Sequence, residues 1–144
     1  MKKIAIACDR AGIELKNYLI ENLKNNYEII NLGTDSQEPV DYPDYAKKVV
    51  KSILNKDVDC GILLCGTGIG MSMAANRFRG IRAGVCHNSF EARLIREHNN
   101  ANIICMGARV IGNEVALDNA KVFLTTDFAG GRHIRRVEKI DEGL

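Results

Sequence analysis

The sequence has no surplus of either charge: 20 lysines and arginines stand against 18 aspartates and glutamates, a formal balance of +2. So small an imbalance leaves no broad footprint for nucleic acid or an anionic membrane, and any basic site must be local. No apolar run approaches the length of a bilayer span. The amino-terminal "KKIAIAC" is far too short for the apolar region of a signal peptide. These absences point to a cytoplasmic protein. The five cysteines (Cys8, Cys60, Cys65, Cys86 and Cys105) are odd in number and follow no C-x-x-C or zinc-type spacing. They read as reduced thiols that behave as small hydrophobes. No repeat or low-complexity segment interrupts the chain, and 144 residues suffice for one core but not comfortably for two.

What is present is an alternation of short β-type runs with longer stretches of helical period. That is the pattern of a parallel sheet with helices on both faces, a three-layer αβα arrangement with five strands. Strands are expected at 2–8, 27–33, 60–65, 81–86 and 101–108. In "IELKNYLIENLKNN" (13–26), Leu15, Tyr18, Leu19 and Leu23 fall on one helical face. The stretch 33–42 collects Gly, Asp, Ser and Pro and reads as a loop, after which Pro43 suits the first turn of a helix. Further helices are expected through "MSMAANRF", through 88–99 with Asn88 or Ser89 as cap, and through 113–126. The basic tail 129–144 has helical potential.

The third strand runs into "CGTGIGM", a cysteine followed by three glycines within five residues. In open parallel sheets ligands bind at the carboxyl ends of strands, where glycines expose backbone N–H groups and the next helix begins. "GTGIG" is therefore a candidate anion or oxyanion cradle. It is not the dinucleotide G-x-G-x-x-G, and no Lys-Ser/Thr follows as in a P-loop. A phosphatase of the cysteine-loop-arginine type would need an arginine where Met71 stands. A thiol at a helix amino terminus can act as base or nucleophile, although position alone fits a space-filling buried cysteine equally well.

The first strand ends in "CDRAG" and the fourth in "CHNSF", and the fourth helix ends in "REHNN". These polar groups are expected at the same sheet edge as Cys65. Asp9 reads either as a ligand group or as a plain helix cap, and His87 as a surface residue. His98 offers an imidazole, a side chain suited to proton transfer, beside the Asn99 amide, which is able to hold an oxyanion; solvated helix-end caps are the plainer reading. In the tail, Arg132 and Arg136 lie four apart, on one helical face, and suit a phosphate; a solvated basic helix end is the plainer reading. Arg109, after the fifth strand, is a third candidate cation.

Taken together, "CDRAGIELK", "DYPDYA", "CGTGIGMSMAANRFRGIRAGVC", "REHNNANIICMGAR" and "FAGGRHIRRVEKI" resemble the type B ribose-5-phosphate isomerases and the related galactose- and allose-6-phosphate isomerases. The matching segments run in order from residue 8 to residue 140. The resemblance implies a Rossmann-like fold and a metal-free, cofactor-free aldose–ketose isomerization through an enediol. Cys65 is implied as the base, with Thr67 and His98 opening the furanose ring. Backbone N–H groups of Gly66, Gly68, Ile69 and Gly70 are implied in stabilising the enediolate. Asp9 and Asn99 are implied on sugar hydroxyls, and Arg132, Arg136 and Arg109 on the phosphate. The resemblance further implies a homodimer, or a dimer of dimers, with sites at the subunit interface and the tail serving the partner.

One departure stands out: the family's Asp-His at the end of the first strand is here Asp9-Arg10. The arginine can carry the implied phosphate contact with a permanent charge, crowd the site, or shift substrate preference. The chain matches the cysteine-using group and not the one with a glutamate base further along, where it has alanine. Tyr42, Arg10 and His98 set the pocket depth that separates pentose from hexose phosphates. Some hexose enzymes pair two different subunits, one lacking residues needed for chemistry; this chain keeps them all, which favours the pentose. A non-catalytic sugar-phosphate binding module is the reading from another class.

Overall fold

The segment Lys3–Cys8 turns Ile4, Ile6 and Cys8 to one side and Ala5 and Ala7 to the other, and all five are buried. A strand apolar on both faces belongs inside a parallel sheet. In the computed structural model, which describes residues 1–144, it is β1 of five strands. The others are β2 (Glu28–Asn31), β3 (Cys60–Cys65), β4 (Ala83–Val85) and β5 (Ile103–Gly107). Every pairing is parallel and the spatial order is β2-β1-β3-β5-β4. β3 and β5 are buried throughout, whereas β2 and β4 form the partly exposed edges.

Six helices follow: α1 (Ile13–Leu23), α2 (Tyr42–Leu54), α3 (Ile69–Ala75), α4 (Ser89–Glu97), α5 (Asn113–Thr125) and α6 (His133–Ile140). α1, α4 and α5 cover the face of Ile4, Ile62 and Ile104, while α2 and α3 cover that of Ala5, Leu63 and Cys105. The expected three-layer αβα sandwich is the architecture observed. Burial of each large aliphatic side chain in these layers contributes about 1.5–3 kcal/mol, which is why apolar strands sit centrally.

Local chemistry sets the boundaries. Asn88 caps α4 by accepting the Glu91 N–H (2.8 Å). Pro43 stands in the first turn of α2, where a missing N–H costs nothing. The elements are shorter than the sequence pattern predicts. α1 ends at Leu23 and not Asn26, and the Tyr27 N–H closes its last turn on the Leu23 carbonyl (3.1 Å), so β2 begins one residue later. α3 stops before Phe78, whose carbonyl accepts a turn bond from Ile81 (3.1 Å).

The chain leaves β1 into one helical layer through α1 and leaves β3 into the other through α3. Adjacent strands that send their helices to opposite faces open a crevice between their carboxyl ends, the usual ligand position in such sheets. Asp9 and Cys65 flank it: Cys8 pairs with Leu64, and the Asp9 N–H bonds the Leu64 carbonyl (3.2 Å). No helix is long and apolar enough to cross a membrane.

One core position breaks the apolar rule. Asn119 lies on the buried stripe of α5 with Ala116, Ala120 and Phe123, and neither its amide nitrogen nor its oxygen has a hydrogen-bond partner. Unpaired buried amide groups cost stability, and alanine is the better helix former. Asn119→Ala is expected to raise the unfolding free energy by about 1 kcal/mol, read as a higher urea midpoint at unchanged m. A lowered midpoint in equilibrium unfolding would mean that the amide is satisfied by buried water.

Candidate active site

Cys65 closes β3 and is buried, with its sulfur accepting the Gly68 N–H at 3.1 Å. An N–H aimed at sulfur favours negative charge on it. The other four thiols have no such donor. Burial pushes Cys8 up to about 12, Cys60 to about 11 and Cys86 to about 12, and Cys105 higher still. Cys8 is itself a donor, to the Thr34 carbonyl (3.5 Å). All five are free.

The turn after Cys65 has to be glycine-rich for two separate reasons. Gly68 sits at φ +79°, and a Cβ there would lie 2.9 Å from the Met106 carbonyl carbon. A Cβ on Gly70 would lie 2.6 Å from the Tyr42 ring, so the aromatic side chain at the start of α2 closes directly over the glycine. Thr67 is exposed and its Oγ1 accepts the Ile69 N–H (3.2 Å). The Gly66, Thr67, Gly70 and Met71 N–H groups have no acceptor within the chain. Of the donors expected from "GTGIG", those of Gly66 and Gly70 are free while those of Gly68 and Ile69 are taken by the Cys65 sulfur and the Thr67 hydroxyl; the unpaired donors of this turn are the kind of preorganised N–H groups that stabilise an oxyanion.

Neighbouring strand ends complete this edge. One Asp9 carboxylate oxygen accepts the Ala11 N–H (3.0 Å), capping the 3-10 turn that carries Arg10; the plain capping role is thus real and leaves the second oxygen uncommitted. Arg109 follows β5: its N–H bonds the Gly66 carbonyl (3.1 Å), and its guanidinium lies against Gly66. His87, read from sequence as a surface residue, has a structural task at the same edge. Its Nε2 accepts the Gly107 N–H (2.9 Å), which leaves the ring proton on Nδ1 and pins the turn leading to Arg109. Only its place after β4 hints at this.

The expectation that His98 and Asn99 share this edge is incorrect. α4 starts at the carboxyl end of β4 and runs back, so its carboxyl terminus reaches the opposite, amino edge, where Gly61 bonds the Asn102 carbonyl. A six-residue strand separates the two edges by roughly 17–20 Å. His98 stacks there on His133, with ring centroids 4.4 Å apart and planes 15° from parallel. The Ala129 N–H bonds the Glu97 carbonyl (3.0 Å), tying the tail to the same point, with Arg132 just before α6 and Arg136 within it. Burial of the ring, then the charges of His98, Arg132 and Arg136, hold His133 below the usual histidine range. The residues singled out from sequence thus form two clusters, one on each sheet edge. No three His, Cys, Asp or Glu side chains converge as a metal-binding group.

Comparison with known proteins identifies the family. The family profile described as Ribose/Galactose Isomerase matches residues 4–140. The ribose-5-phosphate isomerase B of Escherichia coli is 46% identical over 141 residues, covering 97% of this chain and 95% of that protein. The structure of a ribose 5-phosphate isomerase from Thermotoga maritima superposes with a TM-score of 0.96 at 57% identity, covering 98% of each chain. That of the Clostridium thermocellum ribose-5-phosphate isomerase B gives 0.95 at 49% identity, covering 97% of this chain and 95% of that one. The chain therefore belongs to the ribose/galactose isomerase family, and it is by that membership a sugar-phosphate isomerase.

Proposed function

We propose that the substrate pair is ribose 5-phosphate and ribulose 5-phosphate, and that the working unit is a homodimer in the cytoplasm. The observation that carries the chemistry is the Cys65 sulfur held by the Gly68 N–H at the head of a turn with four unpaired N–H donors. Removing a proton α to a carbonyl needs a base beside donors that meet the growing oxyanion. Cys65 takes the proton from the second carbon of the opened sugar and returns it to the first, while the hydroxyl proton passes between the two oxygens. The free N–H groups of Gly66, Thr67, Gly70 and Met71 support the enediolate charge. Thr67 and His98 shuttle the protons of ring opening, Asp9 and Asn99 hold hydroxyls, and Tyr42 bounds the pocket. Arg10, Arg109, Arg132 and Arg136 bind the phosphate. The scheme needs no metal or cofactor, and five unpaired thiols fit a reducing compartment.

The dimer is supported by geometry. Base and cradle occupy one sheet edge and His98, Asn99 and the tail arginines the other, so one chain cannot close both on one sugar. A two-fold partner can, since its amino-edge cluster meets the first chain's carboxyl edge and the reverse contact follows by symmetry. α6 buries no residue and leaves Ile134 and Ile140 each 47% exposed, which leaves an apolar face for a partner to cover.

Three outcomes are expected. Purified protein in excess chelator converts ribose 5-phosphate to ribulose 5-phosphate, and Cys65→Ala lowers kcat by about 10³-fold while leaving substrate binding measurable. Unchanged turnover in the variant would remove Cys65 as the base; turnover confined to allose or galactose 6-phosphate would move the substrate to six carbons; binding with no turnover of any of them would make the chain a binding module. For the dimer, Cys65→Ala and His98→Asn chains, each inactive alone, regain about a quarter of parental activity after subunit exchange, because half the dimers then hold one intact site. No recovery despite demonstrated exchange would place both residues in one chain's site. Finally, NMR titration gives His133 a midpoint below the ordinary histidine range, raised in Arg136→Gln. The charged ring is the disfavoured form, so the native tail is most stable above that range and weakens as pH falls through it. A midpoint insensitive to Arg136 would show that the guanidinium does not act on the ring.

A further inference from the structure

Away from the Cys65 crevice, at the amino edge of the sheet, a polar cavity of about 280 Å³ opens between the start of β3, the turn before β5 and the end of α5. Three cations line it: Lys2, Arg82 and Arg96. None of them belongs to an ion pair; the chain's pairs are Lys3–Glu28, Lys16–Asp35, Lys24–Glu21 and Arg93–Glu97. The cavity's one carboxylate, Asp59, spends an oxygen on the Lys3 N–H (2.8 Å).

The cations bond only neutral acceptors. Lys2 reaches the Leu124 carbonyl (2.8 Å); Arg82 reaches those of Asn100 (2.8 Å) and Gly80 (3.5 Å). Arg96 bonds the Thr126 carbonyl (2.9 Å), the Asn100 side chain (3.0 Å) and the Ala101 carbonyl (2.6 Å). These contacts hold the guanidinium planes in place, yet the Nη2 group of neither arginine has an acceptor. Burial keeps Arg82 below its usual range; Asp141 opposes the shift and Arg96 adds to it. Charges that repel each other across a polar space, fixed in position and short of acceptors, are the makings of an oxyanion site, because guanidinium donors match oxyanion geometry.

The two arginines meet on Asn100, which sits at φ +47° directly after His98 and Asn99. An anion drawing on either guanidinium thus acts on the turn that orients His98. We propose that this cavity is a second anion site, taking a small phosphate or carboxylate metabolite and tuning the His98 turn from behind. Its volume is below the ~300–1,000 Å³ of drug-sized pockets, which suits a phosphate or a compact polycarboxylate. The coupling to turnover rests on the catalytic role proposed for His98, whereas the binding does not.

The test uses the full chain carrying Arg132→Gln and Arg136→Gln, so that the tail arginines proposed to hold substrate phosphate do not report. Two-dimensional amide NMR follows a titration with inorganic phosphate, then with citrate, against sodium chloride at matched ionic strength. Saturable shifts at Lys2, Lys3 and Asn100 to Asn102 are expected with either anion, and Lys2→Gln, a change at an exposed side chain, weakens the affinity several-fold. Phosphate alone or citrate alone producing the shifts upholds the site and identifies which source it takes. Amides that stay still with both anions, or move equally with chloride, overturn it, as does an affinity unaffected by both Lys2→Gln and a folded Arg96→Gln. Because the readout is binding and not turnover, a chain inactive on ribose 5-phosphate could still pass.

Discussion

A parallel sheet has two unlike edges, and this constraint governs where every functional group of the chain falls. All five strands end on one side, so every turn from strand to helix, with its exposed N–H groups, gathers there. Every return from helix to strand gathers on the other. Cys65, the glycine turn, Asp9, His87 and Arg109 belong to the first class, and His98, Asn99 and the approach to β5 belong to the second. No side-chain movement can bridge a strand's length, so an active site that needs both sets has to be assembled from two chains. On the proposed reading the chemistry requires a two-fold partner, and the exposed apolar side of α6 is a surface on which one can pack.

The five cysteines show how position decides chemistry. Four lie among aliphatic neighbours, where desolvation disfavours the thiolate and the sulfur only fills space. Cys65 shares the burial, being 6% exposed, and differs by a single hydrogen bond from Gly68. That bond exists because Gly68 takes a left-handed conformation and presses on the backbone of Met106, which no other residue could do without displacing β5. The glycine therefore gives one buried sulfur a donor that the other four lack and keeps the space beside it free of a side chain.

Much of this was legible in the sequence. The alternation of apolar runs and helical stretches fixes the sandwich, and the strand-end position of "CGTGIG" locates the cradle. Element ends were overestimated where apolar residues continue into turns, as at Tyr27 and Phe78, because hydrophobicity does not register where backbone bonding changes partner. The placement of His98 failed for a sharper reason: it precedes β5, and residues just before a parallel strand stand at its amino end, so nearness to the strand alone misplaces it. His87 was invisible because its partner is a backbone N–H twenty residues away. The orphaned amide of Asn119 likewise looks in sequence like any polar residue of an amphipathic helix.

Arg10 stands where the resemblance implies a histidine. The side chain is exposed on the 3-10 turn and forms no ion pair within the chain, so its charge is free to meet a phosphate arriving at the carboxyl edge. A histidine there would lose its charge across the neutral range and could donate through only one fixed nitrogen. An arginine keeps its charge and offers a fork of donors on a longer, more flexible stem. The exchange thus favours constant phosphate affinity over tight positioning. In the proposed dimer, with Arg109 on the same edge and Arg132 and Arg136 reaching over from a partner, four guanidiniums share one phosphate, and precise placement of any single one matters less.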